Sequence, residues 1–459
     1  MKSVSNFLAP SKRHFKFYRN ILFILLLLIG GFVLVHKFKF SSNENFVKPL
    51  PQDPFVKVYF NQNRASDYKD PYRHFIRKGD NLEQILVDAI NQAQSTIDLA
   101  VMEFRLPKVA EALIAKHKSG VKVRLIIDNK YNKTWADYTP LLISRMNEHD
   151  KAAYEELKRY PTDALSLIKN SGIEIKDDTS NRAPKGSGLM HHKFMVVDNI
   201  YTIVSSGNLT TSEYHGDFQN FESRGNPNNM VVMPSNPQIA KTFTDEFNYM
   251  WQGLFKSRKP KRYPVTIPAG AGTVTINFSP ASRSSDIAFT SNGVIANYIQ
   301  QAKKSVHVAV FVYSDQKISN TLGKVHDNGV ENIKVLVDPD FISQPYSKAY
   351  DAMGVCPRMG TRNRGGDKVK PWNNPITTVG FPISPVGDRG VHSKMAILDS
   401  MLVITGSHNW SSAGNYLNDE TLIAIQNPIV AAHYEREFHR LYDNAQLGLK
   451  ALPHAQKCN

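Results

Sequence analysis

One pattern occurs twice in this chain, and the repeat limits its architecture more than any other feature. Residues 89–104 read AINQAQSTIDLAVMEF and are followed at 106–129 by LPKVAEALIAKHKSGVKVRLIIDN. Residues 297–313 read NYIQQAKKSVHVAVFVY and are followed at 315–340 by DQKISNTLGKVHDNGVENIKVLVDPD. In each copy an amphipathic helix runs into a short apolar strand. A second helix follows, ended by Gly120 or Gly329, and another apolar strand ends at Asp128 or Asp338. Strand, helix and strand in that order make two parallel neighbours covered by a helix, which is α/β architecture.

Both copies continue alike. KFMVVDNIYTIVSSGN (193–208) and KMAILDSMLVITGSHN (394–409) are apolar hairpins with turns expected at Asp198-Asn199 and Asp399-Ser400. A helix is expected to close each copy at 236–255 and 427–445. The reading is two similar lobes, 76–255 and 276–449, of mixed β-sheet flanked by helices. The Pro-, Gly- and Lys-rich stretch 256–275 reads as a linker, 41–75 as a polar tether and 450–459 as a tail. The copies differ in their insertions, a helical one at 130–170 and a Gly/Pro-rich loop at 353–390.

Charge and hydropathy set the N-terminus apart. The net charge is +15, but residues 1–40 hold seven Lys/Arg and no acid, leaving 49 basic against 41 acidic residues in the body. A balance of about +8 suits phosphate-bearing partners without singling out nucleic acid. Ile21–Val35 is an uncharged apolar run, extended between lysines to Phe40, and no small-x-small cleavage site follows it. An uncleaved transmembrane anchor over 21–40 is therefore expected in preference to a cleaved signal peptide. Basic residues concentrate in 1–20, so that tail is expected in the cytoplasm and the body on the non-cytoplasmic side of a single-pass membrane protein. Two cysteines, Cys356 and Cys458, exclude a disulfide scaffold and leave a single bridge open.

The hairpins carry the chemistry. His191, Lys193 and Asp198 recur at the same spacing as His392, Lys394 and Asp399. Behind each aspartate stands a small polar box, Ser205-Ser206-Gly207-Asn208 and Gly406-Ser407-His408-Asn409. His and Lys two apart point to one face of a strand, and the returning strand brings Ser206 and Asn208, or Ser407 and Asn409, beside them. Two such sets facing each other suit a phosphodiester. One neutral histidine attacks phosphorus and the other, protonated, supplies a proton to the leaving oxygen. Lysine, serine and asparagine donors stabilise the phosphorane oxygens. The chemistry calls for no metal or cofactor, and one chain holds both half-sites, so no oligomer is required.

These motifs and the repeated βαβ halves resemble the phospholipase D superfamily, over most of residues 76–449, and within it the bacterial endonuclease and cardiolipin hydrolase-like branch. The resemblance implies a bilobal α/β fold and a covalent phosphohistidine intermediate released by water or an alcohol. It also implies structural rather than catalytic roles for Asp198 and Asp399. Ser205 departs from the glycine of the family's first box.

Glu420 precedes an apolar strand after the second motif, and Asn228 holds the equivalent place after the first. A carboxylate raises a histidine's pKa where an amide does not. The expectation is that His392 beside Glu420 is the acid and His191 beside Asn228 the nucleophile, an asymmetry similar to that of the tyrosyl-DNA phosphodiesterase branch. His192 is expected to pack on the opposite strand face, and His408 to pack or to face substrate. In the 353–390 loop, Arg358, Arg362 and Arg364 are candidate phosphate ligands together with Asn228, and Trp372 and Phe381 are candidates for insertion into a lipid interface. Phospholipid hydrolysis is the preferred activity, with a metal-independent nuclease or a phosphatidyltransferase as alternatives.

Overall fold

A computed structural model describes residues 47–179, 188–220, 222–358, 368–385 and 388–458. The anchor segment and basic tail lie outside the described residues, and no described helix is long and apolar enough to cross a membrane. Pro49–Asn459 forms one compact unit.

The first lobe is built from β1 (Lys57–Phe60), α1 (Leu82–Gln92), β2 (Thr96–Val101), α2 (Pro107–Lys118), β3 (Lys122–Ile127), β4 (Glu174–Asp177), β5 (Lys193–Val197), β6 (Tyr201–Ser205), α3 (Thr211–Tyr214), β7 (Asn229–Met233) and α4 (Pro237–Trp251). The second contains β8 (Val265–Ala269), β9 (Gly272–Ser279), α5 (Ser291–Ile299), β10 (Ser305–Val310), α6 (Gln316–Asp327), β11 (Asn332–Val337), β12 (Val379–Pro382), β13 (Lys394–Leu398), β14 (Leu402–Gly406), β15 (Glu420–Gln426), α7 (Pro428–Tyr442) and β16 (Ala445–Leu447). Their sheets run β1-β7-β6-β5-β2-β3-β4 and β8-β9-β15-β14-β13-β10-β11-β12-β16.

The repeat is exact in topology where the motifs sit. β2 pairs parallel with β3 and antiparallel with β5, and β10 pairs parallel with β11 and antiparallel with β13. The expected turns fall in three-residue loops between the paired Val197 and Tyr201 and between Leu398 and Leu402, with left-handed φ of 51° and 53° at Asp198 and Asn199 and 54° and 53° at Asp399 and Ser400. Gly120 and Gly329 end α2 and α6 with φ of 93° and 95°.

Strand alternation explains why the lobes form one body. Phe194 and Val196 of β5, with Met395 and Ile397 of β13, belong to a core shared by both sheets and by Phe243 and Phe247 of α4 and Phe438 of α7. Met195 and Val197 face instead the first lobe's own core.

Three segments differ from the sequence reading. Val56, Val58 and Phe60 of the expected tether are buried, and β1 pairs antiparallel with β7. Burial alternates along Lys57–Phe60, with Val58 and Phe60 inward, and the strand takes the edge of the first sheet. The expected linker contributes β8, a hairpin partner of β9. The expected C-terminal tail is held to the body by a Cys356–Cys458 disulfide and a two-stranded ribbon of Cys356–Pro357 with Ala455–Gln456.

Candidate active site

Each motif histidine is brought to the centre by a device repeated in both lobes. Asp128, at the end of β3, accepts the Met190 N–H (2.9 Å), and Asp338, at the end of β11, accepts those of Gly390 (3.0 Å) and Val391 (3.2 Å). The chain leading into each histidine is thus fixed one or two residues ahead of it. Burial pushes both carboxyls up to about 6, with Asp178 adding to the shift at Asp128. The lobes then cross over. The His191 N–H donates to the Asp419 carbonyl (2.9 Å), and the Ser393 N–H donates to that of Pro227 (3.0 Å).

Side chains cross in the same way. A carboxylate only accepts, so His191 Nδ1–H donates to Glu420 Oε2 (2.7 Å) from the second lobe. Glu420 is fixed in turn by Ser407 Oγ (2.7 Å) and Asn418 Nδ2 (3.1 Å). His392 Nδ1 lies 3.0 Å from Glu213 Oε2 and 3.1 Å from Asn228 Oδ1, both from the first lobe. The expected pairing is therefore corrected: Glu420 serves His191 and Asn228 serves His392, because each strand end reaches across the lobe boundary. Asn228 is fully buried and takes hydrogen bonds from Ser206 Oγ (2.7 Å) while donating to Glu213 (2.5 Å), so it positions His392 and is no ligand of substrate.

Glu213 was not found from sequence. It stands at the third position of α3, whose first turn is capped by Thr210 Oγ1 accepting the Glu213 N–H (3.3 Å), and its counterpart in the repeat is Gly414. The Thr-x-x-Glu capping spacing is its only sequence signal. Carboxylate partners thus exist for both histidines, on a strand in one half and on a helix in the other, and the proposed asymmetry between the two imidazoles falls.

With Nδ1 protonated, Nε2 of each ring carries the reactive lone pair, and no described residue hydrogen-bonds to it. Burial lowers the pKa of both imidazoles. For His392 burial outweighs the raising effect of Glu213 and, with Lys394, brings it down to about 4. Glu213 and Glu420, though opposed by burial, are held at about 2 by the histidines. Burial also lowers Lys193 to about 8, and burial with the charge of Lys193 lowers Lys394 to about 7. Each lysine acts on the other lobe's histidine, which places all four groups in one field. Lys193 Nζ donates to the His191 carbonyl (3.0 Å) and Lys394 Nζ to that of His392. Among the described residues the buried amide oxygens of Asn208 and Asn409 have no hydrogen-bond partner, so these two side-chain amides are uncommitted at the same place in each half.

The other predicted positions fall into place around this centre. Asp198 accepts the backbone N–H groups of Gln94, Ser95 and Thr96, and Asp399 those of Lys303, Lys304 and Ser305. Both aspartates lie at the far ends of their hairpins and act as structural anchors. His192 bonds Thr421 Oγ1 (2.8 Å) and Glu246 (3.2 Å), and His408 donates to Asn292 (2.7 Å); both are fully buried packing residues. Ser205 uses its departure from glycine, since its hydroxyl accepts the Gly207 N–H (3.2 Å) and meets Tyr214 OH (3.1 Å). A Cβ on Gly207 would sit 2.8 Å from the Asn228 amide, which explains the glycine of that box.

The 353–390 loop is corrected in part. Trp372 is buried against Gly323 and donates to Ser319 (3.2 Å), and Phe381 is half-buried on the second lobe's core, so neither is free to enter a bilayer. Arg358 is exposed beyond the disulfide ribbon, and Arg362 and Arg364 lie outside the described residues. The loop's base near the site is Arg389, whose guanidinium lies 5.5 Å over the Phe311 ring, itself 4.9 Å from the His392 ring. Arg389 and Glu213 both line a cavity of about 580 Å³. Among the described residues, His307, Glu435 and His439 are the group whose ligand atoms could hold a metal. His307 already bonds Glu435 (2.7 Å) and Asn332 (3.3 Å), three residues along β10 from the end that pairs with Lys394.

Two topologically equivalent α/β lobes exchange carboxylates around one centre of two histidines and two lysines, and this two-histidine, two-lobe arrangement defines the class of fold and site. The family described as "Cardiolipin synthase, PLD-like domain" matches residues 86–251 and again 295–442, and this chain belongs to it. Among curated relatives, the mitochondrial cardiolipin hydrolase of Xenopus laevis is 25% identical over 35% of this chain and 56% of its own length. A phospholipase D of Rickettsia felis is 28% identical over 30% of this chain and 58% of its own length. The chain thus spans little more than half the length of these relatives. The phosphatidylserine synthase of Haemophilus influenzae Rd KW20 shares the fold, with a TM-score of 0.52 over 88% of this chain and 89% of that one at 10% identity.

Proposed function

We propose that the protein is a phospholipase D-like phosphodiesterase that hydrolyses phospholipids through a phosphohistidine intermediate. The observation that carries this reading is the reciprocal pairing of His191 with Glu420 and His392 with Glu213, which leaves two Nε2 atoms with both lysines near them. Nε2 of one neutral imidazole attacks phosphorus while the other ring, charged once the anionic diester binds, protonates the leaving oxygen. That ring, now neutral, draws a proton from water, which displaces the histidine and releases the phosphate monoester. The lysine ammonium groups and the Nδ2–H groups of Asn208 and Asn409, with each amide turned to present its nitrogen, donate to the equatorial oxygens.

Two observations favour a lipid over a nucleic acid. The cavity beside Glu213 is lined by Glu103, Glu156 and Asp217 as well, against Arg105 and Arg389, a poor channel for a polyanionic strand. The relatives described above are named for cardiolipin and phospholipid chemistry. The apolar run Ile21–Val35 fits a membrane anchor, and the Cys356–Cys458 bridge fits a body on the oxidising, non-cytoplasmic side. The test is a side-by-side assay on phosphatidylcholine, cardiolipin, single-stranded DNA and RNA, with chelator present. Release of phosphatidic acid supports the reading; cleavage of nucleic acid alone overturns it.

A further inference from the structure

A second cavity, of about 340 Å³, lies where segment 257–262 ahead of β8 and segment 278–289 at the end of β9 meet Tyr416, and it shares no lining residue with the acidic cavity beside Glu213. Its wall is basic: Lys259, Lys261, Arg262 and Arg283 line it together with Ser282, Ser284 and Ser285. Two of these cations have protein partners. Lys259 is fully buried between Glu246 and Asp419, and Arg262 binds Glu246 (2.9 Å). The other two are different. Among the described residues neither Lys261 nor Arg283 meets a carboxylate; each lies over an aromatic ring, Lys261 at 5.1 Å from Tyr263 and Arg283 at 4.8 Å from Tyr416. Stacking of this kind orients a cation while leaving its N–H groups for an anion.

The rim supplies the second half of the argument. Tyr263 is 51% exposed, Val265 44%, Ile287 42%, Phe289 43% and Leu417 37%, and the Tyr263 and Phe289 rings pack edge-on at 5.2 Å. Val265 and Ile287 stand two residues from Tyr263 and Phe289, and Leu417 follows Tyr416 of the pocket wall, so five of the thirteen large apolar side chains exposed among the described residues lie on the segments that border this pocket. Two cations without a carboxylate partner, beside the mutually bonded Ser282 and Ser284 hydroxyls (2.8 Å) and bordered by exposed aromatic and aliphatic side chains, match the boundary between headgroups and acyl chains. A nucleic-acid backbone has the phosphates but no use for Ile287, Val265 and Leu417.

We propose that this pocket docks the anionic headgroup of a bilayer phospholipid, with Lys261, Arg283 and the serine hydroxyls on the phosphate and the apolar rim inserted beside it. The site is tied to the reaction centre, because Lys259 in its wall pairs with Asp419, whose carbonyl accepts the His191 N–H. The assignment rests on the phospholipid reading above, which would bring the body to a membrane surface.

The experiment uses the full chain in detergent micelles doped with a photoreactive phosphatidylglycerol, followed by peptide mapping, and in parallel the rate on soluble bis(4-nitrophenyl) phosphate. Label is expected on peptides within 257–289, and K261E/R283E should reduce it by at least about tenfold. F289A should reduce it less, and the soluble-substrate rate of both variants should stay that of the parent, which also shows that they fold. No label within 257–289, or label there that K261E/R283E leaves unchanged, overturns the proposal; label on the apolar run 21–35 or at the histidine site is expected in every variant. Complete competition by inorganic phosphate at about 10 mM would make the pocket a free-phosphate site, and competition by single-stranded DNA a nucleic-acid site; either overturns membrane docking. Labelling as expected from a protein that cleaves no lipid would uphold the docking site and sink the activity.

Discussion

Glu420 Oε2 lies 2.7 Å from Nδ1 of His191, yet the two residues belong to different lobes and are 229 positions apart. The reverse contact joins His392 to Glu213 at 3.0 Å. Neither lobe alone therefore pairs its motif histidine with a carboxylate, and assembly of the shared core is what completes both.

Replacing either carboxylate by its amide keeps the shape and removes the charge that supports an imidazolium. E420Q and E213Q are each expected to lower kcat by roughly two to four orders of magnitude with little loss of stability. Steady-state rates and thermal unfolding of the two variants check this. A parental rate in E213Q would show that the helix carboxylate is dispensable and that Asn228 alone orients His392.

The pH dependence follows from the buried lysines. Burial, with the like charge of Lys193, puts Lys394 at about 7, and burial puts Lys193 at about 8; a lysine with a depressed pKa loses its charge as pH rises through that value. In the free enzyme, phosphate binding should therefore weaken above neutrality. On the acid side His392, at about 4, is neutral across most of the accessible range. The profile of kcat/KM should be bell-shaped, with its alkaline limb between about pH 7 and 8. K394R, which keeps its charge, should lower the maximum and move that limb upward. An alkaline limb unmoved in K394R would assign the decline to another group.

Much of this centre was legible in the sequence because chemistry and periodicity coincide there. His191-x-Lys193 and His392-x-Lys394 sit at strand spacing in equivalent places of a repeat, and the hairpin turns begin at Asp198 and Asp399, a residue type that tolerates left-handed backbone. The helices of the 130–170 insertion were legible from their pattern too. What the sequence hid is what depends on the crossing of the lobes. Glu420 was singled out but given to the histidine of its own half, since nothing in a one-dimensional pattern says that strand ends exchange. Glu213 was hidden for another reason: its equivalent is Gly414, so comparison of the repeats passes over it. Trp372 looked like a surface residue of a Gly/Pro-rich loop, but its ring lies over Gly323 of α6, a contact set by a helix about 50 residues earlier.

The disulfide and the N-terminal run make a joint prediction about compartment. Cys356 and Cys458 close a separation of 102 residues, and a bridge of that span stabilises by roughly 2–5 kcal/mol. Protein recovered from cells should carry no free thiol, and C356S should unfold at lower denaturant. A reporter fused after Asn459 should be active only outside the cytoplasm. Reactive thiols with a cytoplasmic reporter signal would reverse the proposed topology.

Because each imidazole has its own carboxylate, the division of labour between them must come from the reaction itself, and a substrate that needs no acid exposes it. Bis(4-nitrophenyl) phosphate leaves as a stabilised phenolate. If the acid histidine is replaced, the first step on this substrate proceeds, but the second step lacks the base that activates water. Phosphohistidine should then accumulate on the remaining residue. If the nucleophile is replaced, no leaving group can compensate. H191A and H392A are accordingly expected to differ sharply: both slow on phospholipid by several orders of magnitude, with an adduct trapped in one variant and none in the other. Acid quench and peptide mass spectrometry read the outcome directly. An adduct on His191 in H392A assigns the nucleophile to the first lobe, and one on His392 in H191A assigns it to the second. Adducts in both variants would mean that either histidine can attack, and none in either would refute a covalent intermediate.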